Sequence, residues 1–371
     1  MVLDVRVLGL YDYDKSSGKT MMLASVRQIL PLVLIRREWT MDVPCKLLVR
    51  KGQKVNAGDT VAVSIRQGKH MIIDIAKGLN QPPEKADTFL QVKPGDQVAE
   101  GDVLAGPVGL LKRVVLSPSN GKVILAGSGQ LLMEATGAAE ELRADFPAEI
   151  VELLPEHGVV AEAAGSMIQG VWGNGLAGFG LLINLTKGAD EVFTADQVNV
   201  SHKGTILLAG YCGETDAIKA CADFSVRALI LSSADPLLIP VLSIANFPVM
   251  ILEGFGRRAI NSAAYHLLST NHQREMAVVA RPKDTFRGTC PELIIPLPAA
   301  REPTMPREGI YYKVGERVHL LRDPGAGKVG ELTEFMGVVE FPSGVRAWAA
   351  EIRLEDGETV IQPLANLEIL G

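Results

Sequence analysis

The sequence predicts a multidomain chain: an all-β module, then a small parallel α/β domain, then a second all-β module at the carboxyl end. Three observations predict it. A pattern of glycine turns occurs twice in the first third of the chain. Between residues 205 and 280, apolar runs of about five residues alternate with longer amphipathic segments, the pattern of βαβ units. A proline-rich stretch then precedes a last series of short strands and glycine turns. The chain has 371 residues, 47% hydrophobic and 22% charged, enough to bury several cores.

Residues 1–40 read as an amino-terminal extension: a strand at 5–10, a polar loop from Tyr11 to Gly18, and an apolar run at 29–35 interrupted by Pro31. The start, Met1-Val2-Leu3-Asp4, lacks a basic region followed by an apolar core, so no secretory leader is expected. Acidic residues, prolines or glycines break every long apolar stretch, so no membrane insertion is expected either.

The first all-β module spans 41–160. Lys51-Gly52-Gln53-Lys54-Val55-Asn56-Ala57-Gly58-Asp59-Thr60-Val61-Ala62 returns as Pro94-Gly95-Asp96-Gln97-Val98-Ala99-Glu100-Gly101-Asp102-Val103-Leu104-Ala105. Gly, Val, Gly, Asp and Ala recur at the same offsets. Each copy therefore predicts a glycine turn, an inward valine, a second glycine turn and a strand, with Gly58 and Gly101 in equivalent positions. Ser117-Pro118-Ser119-Asn120-Gly121-Lys122-Val123 is a further turn entering a strand. The insertion between the copies, up to Phe89, reads as a surface helix or loop.

These turns resemble the barrel-sandwich hybrid of biotinyl- and lipoyl-carrier domains, and a module of membrane-bound electron-transfer subunits of the RnfC type. The resemblance implies a β barrel-sandwich hybrid here. Carrier activity would need a lysine in Met-Lys-Met or Asp-Lys-Ala, and neither occurs; the nearest loop lysine, Lys69, lacks those flanks. The cluster-binding cysteines of RnfC-type subunits are also absent, so their electron transfer does not carry over.

Residues 161–300 hold a glycine-rich bridge (165–180) and the α/β domain. Strands are expected at 205–209, 228–231, 248–252 and 276–280, and helices at 215–225, 236–245 and 258–268. Ligands of open parallel sheets sit at the carboxyl edge of the strands. That places a candidate ligand pocket at Gly210, Gly213, Ser232, Ser233, Glu253 and Gly254, closed by Trp172 and Asn174 of the bridge. Glycines there expose backbone N–H groups, the serines add hydroxyls, and Glu253 adds an acceptor. Glu214, Asp235 and Glu253 make the edge negative, which suits a neutral polar ligand better than a polyphosphate. The strand-to-helix turn at Gly210-x-x-Gly213 lacks the G-x-G-x-x-G dinucleotide fingerprint, and no P-loop Gly-Lys-Ser/Thr follows the glycine-rich bridge. The alternative is structural: the glycines pack closely, Glu214, Asp216 and Asp235 start helices, and Arg257 and Arg258 are solvated.

Residues 298–309 are a proline-rich linker, and 301–371 carry the last module. Val314-Gly315-Glu316-Arg317-Val318-His319 and the following Gly turn resemble a KOW-type SH3-like barrel, whose members bind RNA or proteins. Arg317, Arg322, Lys328 and Arg346 stand among Glu316, Asp323, Glu331 and Glu334. With a net charge of −6 and 5% aromatic residues, nucleic acid is disfavoured and a protein partner is expected.

The whole order of modules, with Ile168-Gln169-Gly170, His202-Lys203-Gly204 and Glu253-Gly254-Phe255-Gly256, resembles a family of uncharacterised bacterial multidomain proteins. Cys45, Cys212, Cys221 and Cys290 form no CxxC and stand beside no histidine pair at zinc spacing, so no metal is expected and the thiols read as reduced, in the cytoplasm. The six histidines form no readable catalytic or metal constellation, and no cofactor is expected. The functional expectation is a non-catalytic interaction protein. The rivals are a ligand-binding protein or enzyme using the sheet edge, and an RNA- or transcription-associated factor. Substrate, partner and oligomeric state stay open at this level.

Overall fold

The computed structural model describes residues 11–14, 19–22, 24–65, 70–109, 112–135, 139–284, 289–297 and 311–370. Lys69 and the proline-rich linker lie outside the described residues, as does the expected strand at 5–10. The protein is mostly β, with 49% strand and 15% helix, in several sheets and with no closed barrel among the described residues. The expected polar loop at 11–18 instead begins a hairpin, Tyr11–Asp14 against Lys19–Met22.

The repeat is present as matched turns. Gly58 and Gly101 adopt φ of +85° and +86°, a region closed to most side chains. Asp59 and Asp102 each accept a 2.7 Å bond on the side chain, from the Asn56 and Ala99 amides respectively. Gly58 donates to the Ala144 carbonyl and Gly101 to the Ser117 carbonyl, both at 2.8 Å. The Ala144 amide returns a bond to Asp59, and the Ser117 amide returns one to Asp102. One copy is thus nested inside the other. Val55 and Val98 are buried at equivalent points but feed different cores: Val55 joins Trp39, Phe146 and Ile150, while Val98 joins Leu104, Val123 and Leu131. The insertion forms short, mostly exposed helices, Ile75–Leu79 and Pro83–Ala86, as expected of a surface segment, each with one buried face. Its helix Ile75–Leu79, capped by Asp74, buries Ile75 and Leu79 in that second core. Replacing either Gly58 or Gly101 with alanine is expected to cost about 1–2 kcal/mol, equally at both sites, because only the left-handed φ is strained and no neighbour obstructs the Cβ. Urea midpoints of the two variants check this; unequal shifts would show that the turns are not equivalent.

A twelve-stranded sheet forms the body of the protein. Ala177–Asn184, Ile206–Cys212, Ala228–Ala234 and Val249–Ile251 run parallel, and the last three carry the near-continuous burial of strands covered on both faces. Thr215–Asp223 and Ser262–Thr270 are helices; the second starts later than the sequence predicts because Asn261 caps it by accepting the Ala264 amide. The last expected strand is a correction. Glu275–Val279 runs antiparallel to Ala177–Asn184 and to Glu292–Pro296, rather than continuing the parallel set. An apolar run buried on both faces identifies a strand but carries no direction.

The amino-terminal segment is split between two sheets. Ile29–Thr40 is one strand along Gly158–Gln169, and the register shifts between Gly165 and Met167, next to Pro31. There the Ser166 hydroxyl donates to the Pro31 carbonyl at 2.7 Å. Proline is accommodated where the ladder is already irregular. Just before it, Ser25–Arg27 pairs in parallel with Leu367–Leu370. The carboxyl-terminal sheet, in spatial order Thr359–Pro363, Arg346–Leu354, Val329–Glu340, Arg317–Leu320 and Leu367–Leu370, therefore takes its sixth strand from the far end of the chain.

Candidate functional site

At the carboxyl edge of the parallel strands, the Ser233 and Glu253 side chains are engaged within the chain. Gly210 lies within its strand against a neighbouring segment; a Cβ there would stand 1.8 Å from the Glu191 carbonyl oxygen. Gly213 is exposed ahead of its helix. Ser232 and Ser233 are fully buried. The Ser233 hydroxyl donates to the Arg258 carbonyl at 2.9 Å and accepts the Arg258 amide at 3.0 Å. Gly254, at φ +105°, continues the turn, and its carbonyl accepts the Ala234 amide.

Trp172 pairs with Ile251 and meets Phe255 edge-on, with ring centroids 6.4 Å apart. Asn174 does not join this group. The antiparallel course of the bridge carries it to the opposite end of the Val249–Ile251 strand, where its side chain accepts the Val249 amide at 3.0 Å and donates to the Phe247 carbonyl at 2.9 Å. It holds a turn rather than facing the carboxyl edge.

Glu253 is the centre of the edge. Its side chain is wholly buried, and one oxygen accepts both the Asn261 amide at 3.0 Å and the Asn261 side chain at 2.6 Å. The other accepts Arg27 Nη1 at 2.7 Å and lies 3.4 Å from His319 Nε2. Arg27 also donates to the Leu252 carbonyl at 3.1 Å, and its Nε lies 2.8 Å from a Glu368 oxygen. His319 Nδ1 lies 3.8 Å from that same oxygen, beyond hydrogen-bond distance. Arg258, expected in solvent, reaches across to the Leu321 carbonyl at 3.2 Å. Four charged or titratable side chains from four separate stretches of chain thus meet in one buried joint between the α/β domain and the carboxyl-terminal sheet. Arg27 is 226 residues from Glu253, so no local pattern marks the pair.

Burial alone would raise the Glu368 carboxyl, but the contact with His319 and the charge of Arg27 outweigh it and hold the group below the ordinary glutamate range. A carboxyl lowered on folding stabilises the fold above its unfolded value, about 4.3, and that contribution drains away as pH falls through the folded value. Glu368→Gln is therefore expected to lower stability at neutral pH, with the gap to the native protein narrowing below about pH 4. Urea titrations across this range check it; a gap that widens in acid would refute it.

The neighbouring chemistry is structural in character. Burial pushes the thiols of Cys212 and Cys221 up to about 11 and about 12, far from a ready nucleophile. Cys290 is likewise raised to about 11, mainly by burial. Arg37 makes a two-pronged contact with Glu292, and Arg281 reaches Asp145 at 2.7 Å. Among the described residues, no group of three or more His, Cys, Asp or Glu side chains is placed to hold a metal, and no helix is long and apolar enough to cross a membrane. A half-open cleft of about 250 Å³ lies beside the joint, lined in part by Arg27, Gln169, Gly170, Lys283 and Glu368.

No family model matches the chain, and no curated protein matches it.

Proposed function

We propose that the chain is a non-catalytic interaction protein, a scaffold whose modules are locked to one another by the Arg27–Glu253–His319–Glu368 joint. In finer terms, we read residues 41–160 as a barrel-sandwich hybrid, 301–371 as a KOW-type SH3-like module, and the compartment as the cytoplasm. The observation that carries the reading is the engagement of the polar side chains at the sheet edge. The side chains that a ligand would use, Ser233 and Glu253 above all, are engaged within the chain.

Two further features support a protein partner. Val338 and Trp348 face each other across the long hairpin of the carboxyl-terminal sheet, and both are exposed, with Phe335, Met336 and Val345 nearby in sequence and also exposed. Exposed apolar pairs of this kind are candidates for protein contact. Meanwhile Arg317, Lys328 and Arg353 are paired with Glu355, Asp356 and Glu331, which leaves less free cation for a phosphate backbone. The four free cysteines support a reducing compartment.

Native mass spectrometry of the protein purified from its own host tests the proposal. The expected result is a mass increment the size of a polypeptide. A stoichiometric increment of small-molecule size would overturn it in favour of the ligand-binding reading, and co-purifying RNA would favour the nucleic-acid reading.

A further inference from the structure

The strand that completes the carboxyl-terminal sheet is held as a bound peptide is held. Ser25, Val26 and Arg27 align in parallel with Glu368, Ile369 and Leu370. Ser25 is exposed, Val26 is half-buried, and only Arg27 is buried. So short a strand brings little apolar area. Its attachment rests mainly on main-chain pairing to a sheet edge and one anchored side chain, the two components of peptide recognition by strand addition. Beside them, Ala24 packs against the carboxyl-terminal core, Ser25 contacts Glu368 at 3.5 Å, and Gln28 bonds Gln169.

The anchor is specific to arginine. The guanidinium meets three acceptors in different directions: a Glu253 oxygen at 2.7 Å, a Glu368 oxygen at 2.8 Å and the Leu252 carbonyl at 3.1 Å. A planar fork with separated N–H groups serves all three at once, whereas an ammonium is a point charge on a flexible stem. Along the strand lies the half-open cleft lined by Val26, Arg27, Lys283 and Glu368. One flank of the segment therefore borders a cleft, while Gln28, the next residue, bonds Gln169 of the large sheet.

We propose that the edge of Leu367–Leu370 that Ser25–Arg27 covers, with the Glu253 and Glu368 carboxylates, is a recognition site for an extended segment bearing arginine at its third position. Ser25–Arg27 fills the site in cis, and the same kind of segment from another polypeptide fits it. The proposal deepens the interaction reading and rests on it. In the native chain the tethered segment competes at high effective concentration, so an outside segment binds only when the resident arginine is removed.

The test uses full-length protein carrying Arg27→Met and a fluorescently labelled peptide of residues 24–30, followed by anisotropy. The expected result is saturable binding to this variant, at least tenfold weaker binding to the native protein, and at least tenfold weaker binding of the peptide that itself carries Arg27→Met. Equal binding of the two peptides, or none to a folded variant, would overturn the proposal. Hydrogen exchange on the native full-length chain provides a second test that needs no variant. Amides of residues 25–27 and 368–370 are expected to exchange together, at least tenfold faster than those of 206–212. Exchange of 25–27 only at the rate of the large sheet would also overturn it. Either failure leaves the mass-spectrometric test of the scaffold reading standing on its own.

Discussion

Arg27→Met is expected to destabilise the folded protein by roughly 3–5 kcal/mol, the range for breaking a buried ion pair by removing one partner. The reason lies in what stays behind. Glu253 and Glu368 both contact His319 and both face the space that the guanidinium filled. With the cation gone, two carboxylates share a buried site with one imidazole. Arg27→Lys keeps the charge but loses the fork, and it should fall between the native protein and the methionine variant. Chemical denaturation at neutral pH measures all three. A loss below about 1 kcal/mol for Arg27→Met would place the pair among those screened by solvent, and the joint would not be the lock described above.

Gly210→Ala is the second large effect, expected to cost roughly 3 kcal/mol, the upper end of the usual range for overpacking. The added methyl would meet the Glu191 carbonyl oxygen at 1.8 Å, and the same oxygen accepts the Tyr211 amide at 2.8 Å. Backbone on both sides must move, and the pairing of Val192–Phe193 with Tyr211 and Cys212 goes with it. Gly213→Ala is the matched control. Its Cβ would meet only the Tyr211 ring, at 3.0 Å and on an otherwise exposed residue, so a cost of about 0.5 kcal/mol is expected from a side chain that can turn aside. Urea midpoints of the pair decide the matter. Equal small effects would mean that Gly210 is not a close-packing glycine, and its place at the strand end would need another explanation.

Local features of the fold were legible in the sequence, and distant ones were not. The parallel strands and their helices follow from apolar period and length. Asp235 caps a turn by accepting the Leu237 amide, as its place before Pro236 implies, and Asp216 pairs with Lys219 in the first turn of its helix. The repeat gave the Gly58 and Gly101 turns because the glycines and the aspartates that cap them lie within a few positions, whereas their partners Ala144 and Ser117 lie farther along the chain. Strand direction at Glu275–Val279 and the position of Asn174 depend on how connections pack, which residue type does not encode. The residues of the candidate pocket were read at the sheet edge without their neighbours. Glu253 is an acceptor at the sheet edge, as expected, yet its cation comes from Arg27 and its cover from His319 on another sheet. A lone arginine in an apolar amino-terminal stretch and a histidine in a strand give no local sign that they meet.

The nesting of one turn pair inside the other sets an order of loop closure. In the inner copy, Glu100 binds Asn120, a contact spanning 20 residues. In the outer copy, Gly58 binds Arg143 across 85 residues, because the whole inner unit intervenes. Loop-closure entropy grows with the logarithm of length, so the outer contact is entropically dearer by about 1.3 kcal/mol when the intervening chain is slack. Once the inner unit has folded, its ends lie close together and the effective span of the outer loop shrinks. The inner copy thus acts as a molecular shortcut for the outer one, and two turns of the same local design come to differ in when they form.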